Sequence, residues 1–339
     1  MLAPGDMPSH MNTHRLQGIL AALLSAVVLG LSPVFGKQAI NAGTSWLTVV
    51  MLRTVAATGL LWFAHLAVPR LRRFAYIYPV GLLGCLTAGL VNGLGSLMYY
   101  NGLGRLDASL AQLIYMMYPL FMAVLAWIDG YAISRLTLLR LGMALAAVYL
   151  LVGVGTAEAD LWGVAFMLGG SVMFALHLVI NQRMLQDMPA PTVTLYTLTA
   201  MAGTVFIAYL IGGLPALPPT PLAWQAVSML TFATLASRLM LFMGIKRLGG
   251  VQAVLLTLSE LLITVVGANL ILGELLSPPQ WLGAILLGLS VLLVLSERGL
   301  GVRHDPKPWL QIITARFARA HVTRPASPPP RPKDSNLPM

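Results

Sequence analysis

Residues 247–293 read RLGGVQAVLLTLSELLITVVGANLILGELLSPPQWLGAILLGLSVLL. Two apolar runs overlap this stretch, roughly 250–273 and 279–297, divided by the turn signal Ser277–Pro278–Pro279. Each is close to the about 20 residues that a helix needs to cross the hydrocarbon core of a bilayer. An isolated strand is excluded there, because lipid offers its backbone groups no partner. One acid, Glu260, stands well inside the first run, where a charge is costly and usually has a purpose.

The same pattern extends back to the N-terminus. Eight more runs lie at roughly 16–38, 45–67, 76–100, 106–128, 136–155, 160–182, 191–213 and 222–245. The expected fold class is therefore all-α integral membrane, with about ten transmembrane helices joined as antiparallel hairpins. Composition agrees. Of the 339 residues, 58% are apolar and 9% charged, with a mean hydropathy of +0.80. Soluble domains carry roughly a quarter charged residues.

The net charge of +10 does not indicate nucleic-acid binding, since the excess Lys and Arg fall in short loops and in the C-terminal tail. With the N-terminus inside, the inside loops hold Arg70, Arg72, Arg73, Arg135, Arg140, Arg183, Lys246 and Arg247, and the outside loops hold only Lys37 and Arg105. Glu158 and Asp160 lie in an outside loop. This asymmetry places the chain in a bacterial-type inner (plasma) membrane with both termini cytoplasmic. It requires an even number of spans. The first apolar run is too long for a cleaved secretory signal and reads as a retained span.

The lone Cys85 offers neither an internal disulfide nor a metal cluster. No cofactor is expected. The loop from Gly153 to Asp160 lacks the Lys of a nucleotide-binding loop, and no His-Glu-x-x-His pattern occurs. Asp129 and Asp187 are isolated acids. An enzyme is therefore not expected.

Four segments follow from this reading: a cytoplasmic N-terminus at 1–15, a five-helix half at 16–155, a second at 160–297, and a basic, Pro-rich cytoplasmic tail at 298–339. In the tail, Trp309, Ile312, Ile313 and Phe317 recur at helical spacing. A helix over 308–322 would suit the anionic inner leaflet, and a disordered basic tail is the alternative.

The halves repeat. Leu16–Gln17–Gly18 matches Leu161–Trp162–Gly163, and Gly102–Leu103–Gly104–Arg105–Leu106 matches Gly244–Ile245–Lys246–Arg247–Leu248. Five spans is an odd number, so the second half enters from the opposite face. Inverted repeats of this kind recur in transporters, with the site between the halves.

On these residues the chain resembles the drug/metabolite transporter superfamily, EamA branch. The matching positions are Leu272–Gly273–Glu274, the glycines Gly283 and Gly288 of the last span, and the mid-span Pro119 of the first half. The family's second-half Glu-Pro is here Glu260–Leu261, and Ile128–Asp129–Gly130 stands near the place of a first-half Leu-Gly-Glu. The resemblance implies a central cavity and alternating access.

The polar residues within spans form stripes. Thr231, Thr234 and Arg238 share one face of the eighth span, and Thr257, Glu260 and Thr264 one face of the ninth. At an offset of 142 these map to Gly89, Asn92 and Ser96, and to Tyr115, Tyr118 and Met122. His177 and Asn181 lie one turn apart in the sixth span. Pro33 and Pro119 are the expected hinges.

Two readings stay open for Arg238 and Glu260: a structural pair, or a solute site with Arg238 on an anionic group and Glu260 on an ammonium group or a proton. Arg53 reads as a structural arginine reaching a facing helix end or an interface. Glu274 reads as a helix-end acid. The expected function is a secondary carrier, an exporter or exchanger of a small metabolite, amino-acid-like or amphipathic. A lipid or lipid-linked sugar flippase is the alternative. Expected partners are the solute, the lipid bilayer and, for coupling, protons; a homodimer stays open.

Overall fold

A computed structural model describes residues 9–128, 160–248 and 260–293, with isolated helical positions between 136 and 150. The N-terminal end, the fifth span's flanks, residues 249–259 and the tail after 293 lie outside the described residues. Thr257, the 308–322 helix and Asp129 fall there.

The helices are α1 (Ser9–Asn41), α2 (Trp46–Ala67), α3 (Pro79–Arg105), α4 (Ala108–Tyr115), α5 (Tyr118–Ile128), α6 (Leu161–Asp187), α7 (Ala190–Ile211), α8 (Pro221–Leu248), α9 (Glu260–Gly267) and α10 (Pro278–Leu292). A short helical turn, Pro69–Arg72, lies between α2 and α3. Seven segments among the described residues are long and apolar enough to cross a membrane. The protein is a multi-pass membrane protein, and about ten helices fit its repeat. Large apolar side chains face outward along the spans, Phe63 at 69% and Ile211 at 82% exposure among them. Water would penalise such a surface; lipid does not.

Hydroxyls inside the spans satisfy themselves locally. Thr54 donates to Val50 O, Thr58 to Thr54 O, Thr194 to Ala190 O and Thr231 to Val227 O, all at 2.7–2.8 Å. A buried threonine in lipid thus costs little, because its own helix supplies the acceptor.

Packing exchanges partners between the halves. The two most extensive interfaces join α1 to α8 and α3 to α6. Along α1 and α8, Gln17 meets Arg247, Ala22 meets Gly244 and Ser25 meets Ser237, so the helices run antiparallel. Along α3 and α6, Gly84 meets Met184, Gly95 meets Met173 and Gly102 meets Gly163, also antiparallel. Glycines permit these close approaches: a Cβ on Gly102 would lie 2.9 Å from the Gly163 carbonyl oxygen. The helix α9 runs parallel to α1, with Thr264 donating to Gly30 O at 2.7 Å and Gly267 beside Val34. The corresponding neighbours α4 and α6 meet where Ser171 donates to Tyr115 O at 2.9 Å. The α1–α8 interface of one half with the other is thus matched by the α3–α6 interface.

The structure extends α1, α3 and α6 beyond the runs read from sequence, to Asn41, Arg105 and Asp187, and it breaks the fourth span. Helix α1 runs on to Asn41, so Lys37 lies within it and donates to Leu103 O (3.1 Å) and Leu106 O (2.8 Å) at the end of α3. The fourth span is not one helix. It breaks at Met116–Met117, between α4 and α5. Pro119, the second residue of α5, has no N–H for Tyr115 O, and the Ser171 hydroxyl takes that carbonyl instead. Pro33 lies inside α1 without ending it.

Candidate functional site

A cavity opens where α1, α2, α3, α4, α5, α6, α8 and α9 meet, and both halves line it. The space within it and at its mouth comes to about 700 Å³, open solvent included. Its charged residues are Arg53, Arg238 and Glu260, which are 8%, 8% and 4% exposed.

Helix α8 positions Arg238. One guanidinium nitrogen lies 3.2 Å from His177 Nε2 and the other donates to Asn92 Oδ1 at 3.3 Å. The guanidinium carbon stands 5.3 Å from the Phe174 ring centroid. A guanidinium has only donors, so His177 Nε2 is the acceptor, and Nδ1 carries the hydrogen toward Ala88 O at 3.0 Å. Both ring nitrogens are thereby used. Asn181 donates to His177 O at 2.9 Å and accepts from Thr197 at 3.3 Å. His177 and Asn181 therefore stand behind Arg238, and neither lines the cavity.

Helix α2 brings Arg53 in from the other side. It donates to Thr234 Oγ1 and Ser96 Oγ, each at 3.2 Å, and lies 4.5 Å from the Tyr100 ring centroid. Its Nε is buried with no partner among the described residues.

Glu260 begins α9. It accepts from Gln112 Nε2 at 3.1 Å, and Gln112 Oε1 accepts from Tyr99 Oη at 3.0 Å. Among the described residues Glu260 and Arg238 do not form an ion pair; the pair seen is Arg105 with Asp160 at 2.9 Å.

The aromatic wall is continuous. Tyr99 packs on Tyr115 with centroids 4.7 Å apart, and Phe174 lies 5.4 Å from Tyr115 and 5.0 Å from Tyr118. Tyr115, at the end of α4, and Tyr118, at the start of α5, both line the cavity.

Of the residues expected on the pathway, Arg238, Glu260, Thr234, Ser96, Tyr115 and Tyr118 meet at this cavity, and Asn92 braces it. Pro33 lines it and Pro119 does not. Thr257 lies outside the described residues. Gly273 and Glu274 stand at the end of the wider, π-type turn Ala268–Leu272 that continues α9. Gly273 closes that turn at φ +71°, a conformation glycine adopts without strain. The Glu274 carboxylate accepts from Ala108 N (2.8 Å), Ser109 N (2.9 Å) and Ser109 Oγ (3.0 Å). It caps α4 of the opposite half. The sequence reading did not place Arg53, Gln112, Tyr99 or Phe174 at the site. An arginine and a glutamine inside apolar spans were the available signals.

Comparison with known proteins agrees with this architecture. Residues 16–153 and 161–296 each match the EamA-like transporter family. A curated relative, the uncharacterized transporter YcbK of Bacillus subtilis (strain 168), is 25% identical over 281 residues, spanning 78% of this chain and 88% of that protein. A solved crystal structure at 17% identity superposes with a TM-score of 0.61, covering 84% of this chain and 100% of the other, and shares the fold.

Proposed function

This chain belongs to the EamA-like transporter family of membrane transporters for small solutes, and from that premise we propose that it is a secondary carrier working by alternating access through the central cavity. The observation that carries this reading is the convergence of three buried ionisable side chains, from both halves, on one aromatic-walled cavity without an ion pair among them. Charge inside a membrane is expensive, and it faces a wet path or a ligand.

In this reading Arg238 binds an anionic group of the solute, held in place by His177 and Asn92. Tyr115, Tyr118 and Phe174 receive an apolar body. Glu260 answers an ammonium group or exchanges a proton, steadied by Gln112. The opposed directions of α1 and α8, and of α3 and α6, support two inverted halves. Each half can then adopt the other's packing, which gives two states of similar energy.

Purified protein in proteoliposomes tests the reading. Counterflow of radiolabelled amino acids and organic acids is measured beside scrambling of a fluorescent phospholipid. The expected result is solute counterflow in the wild type, lost in Arg238→Gln with the protein still folded. Scrambling without solute movement would replace the carrier by a flippase.

A further inference from the structure

The charges at the cavity do not balance. Arg53 and Arg238 are cations, and among the described residues Glu260 is the one acid lining the cavity. Every acceptor recorded for the two guanidiniums is neutral: Thr234 and Ser96 for Arg53, Asn92 and His177 for Arg238. The Arg53 Nε has no acceptor among the described residues. Glu260 directs its bond to a neutral amide.

The two cations are also close. Arg53 holds the hydroxyl of Thr234, which lies one helical turn before Arg238 on the same face of α8. Two guanidiniums within about a turn of each other repel, and the surrounding tyrosines and phenylalanine screen them poorly. Such an arrangement is sustained when a counter-charge arrives from outside.

We propose that the transported solute is an organic anion of single net negative charge, its anionic group held between Arg53 and Arg238 and its apolar or planar body against Tyr115, Tyr118 and Phe174. This rests on the carrier reading above and narrows it. A simple zwitterion leaves one guanidinium unanswered, because its own charges cancel against Arg238 and Glu260. A cation adds to the imbalance. An anion with one excess negative charge closes it, whether it carries a lone carboxylate or two acids and an amine. Arg53 then acts as the residue that selects net charge.

A matched phenyl series tests this in lipid nanodiscs by thermal stabilisation and calorimetry near neutral pH. The probes are 3-phenylpropionate (monoanion), phenylalanine (zwitterion), phenethylamine (cation) and benzylmalonate (dianion), with sodium chloride as control. In the wild type 3-phenylpropionate should bind at least about tenfold more tightly than phenylalanine and phenethylamine, a difference of about 1.4 kcal/mol. Arg53→Gln should move the preference to phenylalanine. Glu260→Gln should move it toward benzylmalonate. Arg53→Lys keeps the charge and should keep the wild-type order. A variant that is merely loosened weakens all four probes together, so a reordering is the signature of charge selection. Should Arg53→Gln fail to fold, Glu260→Gln and Arg53→Lys decide the matter.

The proposal is overturned if phenethylamine or phenylalanine ranks first in the wild type, if no probe binds, if chloride stabilises as well as 3-phenylpropionate, or if these substitutions leave the order unchanged. Ranked binding without counterflow would remove the carrier reading and leave charge selection standing. Counterflow of the cation would do the reverse.

Discussion

Replacing Glu274 with alanine should lower stability by about 2 kcal/mol, although no part of Glu274 lies in the cavity wall. Its carboxylate receives two backbone N–H groups and one hydroxyl at the start of α4, at 2.8–3.0 Å. The first turn of a helix leaves N–H groups without intrahelical partners, and a lost cap costs about 1 kcal/mol. A hydrogen bond to a charged acceptor contributes about 1.5–3 kcal/mol, part of which water recovers at a half-buried site. The helix dipole adds a few tenths more. A loss of about 2 kcal/mol lowers the melting temperature of a domain of 150–250 residues by roughly 4–8 °C, and a somewhat smaller shift is expected for this longer chain. Tryptophan fluorescence during thermal unfolding in nanodiscs measures it. Glu274→Gln retains a carbonyl acceptor but loses the charge, and should fall about midway. Asp107 occupies the N-cap position of α4, yet its side chain makes no capping bond. Asp107→Ala should therefore cost less than Glu274→Ala. Equal melting of wild type and Glu274→Ala, or a larger loss from Asp107→Ala, would refute the cross-half cap.

Three further outcomes follow from the same contacts. Gln112→Leu removes the partner of both Tyr99 and Glu260, and leaving two buried polar groups unmet should cost about 2–6 kcal/mol in unfolding experiments. Gly102→Val places a Cβ 2.9 Å from the Gly163 carbonyl and from Met167 Cγ, and should reduce folded yield, whereas Gly203→Ala meets nothing within 4 Å and should be neutral or slightly stabilising. Asp160 hydrogen-bonds Arg105 and caps Trp162 and Gly163, which holds its carboxyl below the ordinary value of 3.8. A depressed carboxylate contributes its stability above the unfolded value and loses it as pH falls, so the small difference between wild type and Asp160→Asn should be flat from about pH 5 to 8 and shrink below about pH 4.

The membrane fold was legible because lipid leaves the backbone so few solutions. Apolar run length alone implies the spans, and the repeated Gly-Leu-Gly-Arg-Leu and Gly-Ile-Lys-Arg-Leu segments imply two halves. The polar stripes were legible as faces of single helices. Their meeting was not. The offset that pairs Thr234 and Arg238 with Asn92 and Ser96 suggests equivalent places, and the structure shows direct partners: Asn92 on Arg238, and both Thr234 and Ser96 on Arg53. Arg53 stands in a span with no second ionisable residue in register, so only its depth marked it. At the break at Met116–Met117 the Tyr115 carbonyl, which Pro119 cannot serve, receives the hydroxyl of Ser171 from the other half. The cap by Glu274 bridges 166 residues of sequence, a contact that no local pattern announces.

The central claim is that the Arg53–Arg238–Glu260 cavity is the path of the solute. Labelling of Ser237→Cys measures this most directly, in a background with Cys85→Ser and with a membrane-impermeant thiosulfonate applied from each side in turn. Ser237 lines the cavity, and Cys85 is buried away from it. Labelling from both sides, slowed by 3-phenylpropionate, is the predicted result. Labelling from neither side, or only by a lipid-soluble reagent, would contradict the account.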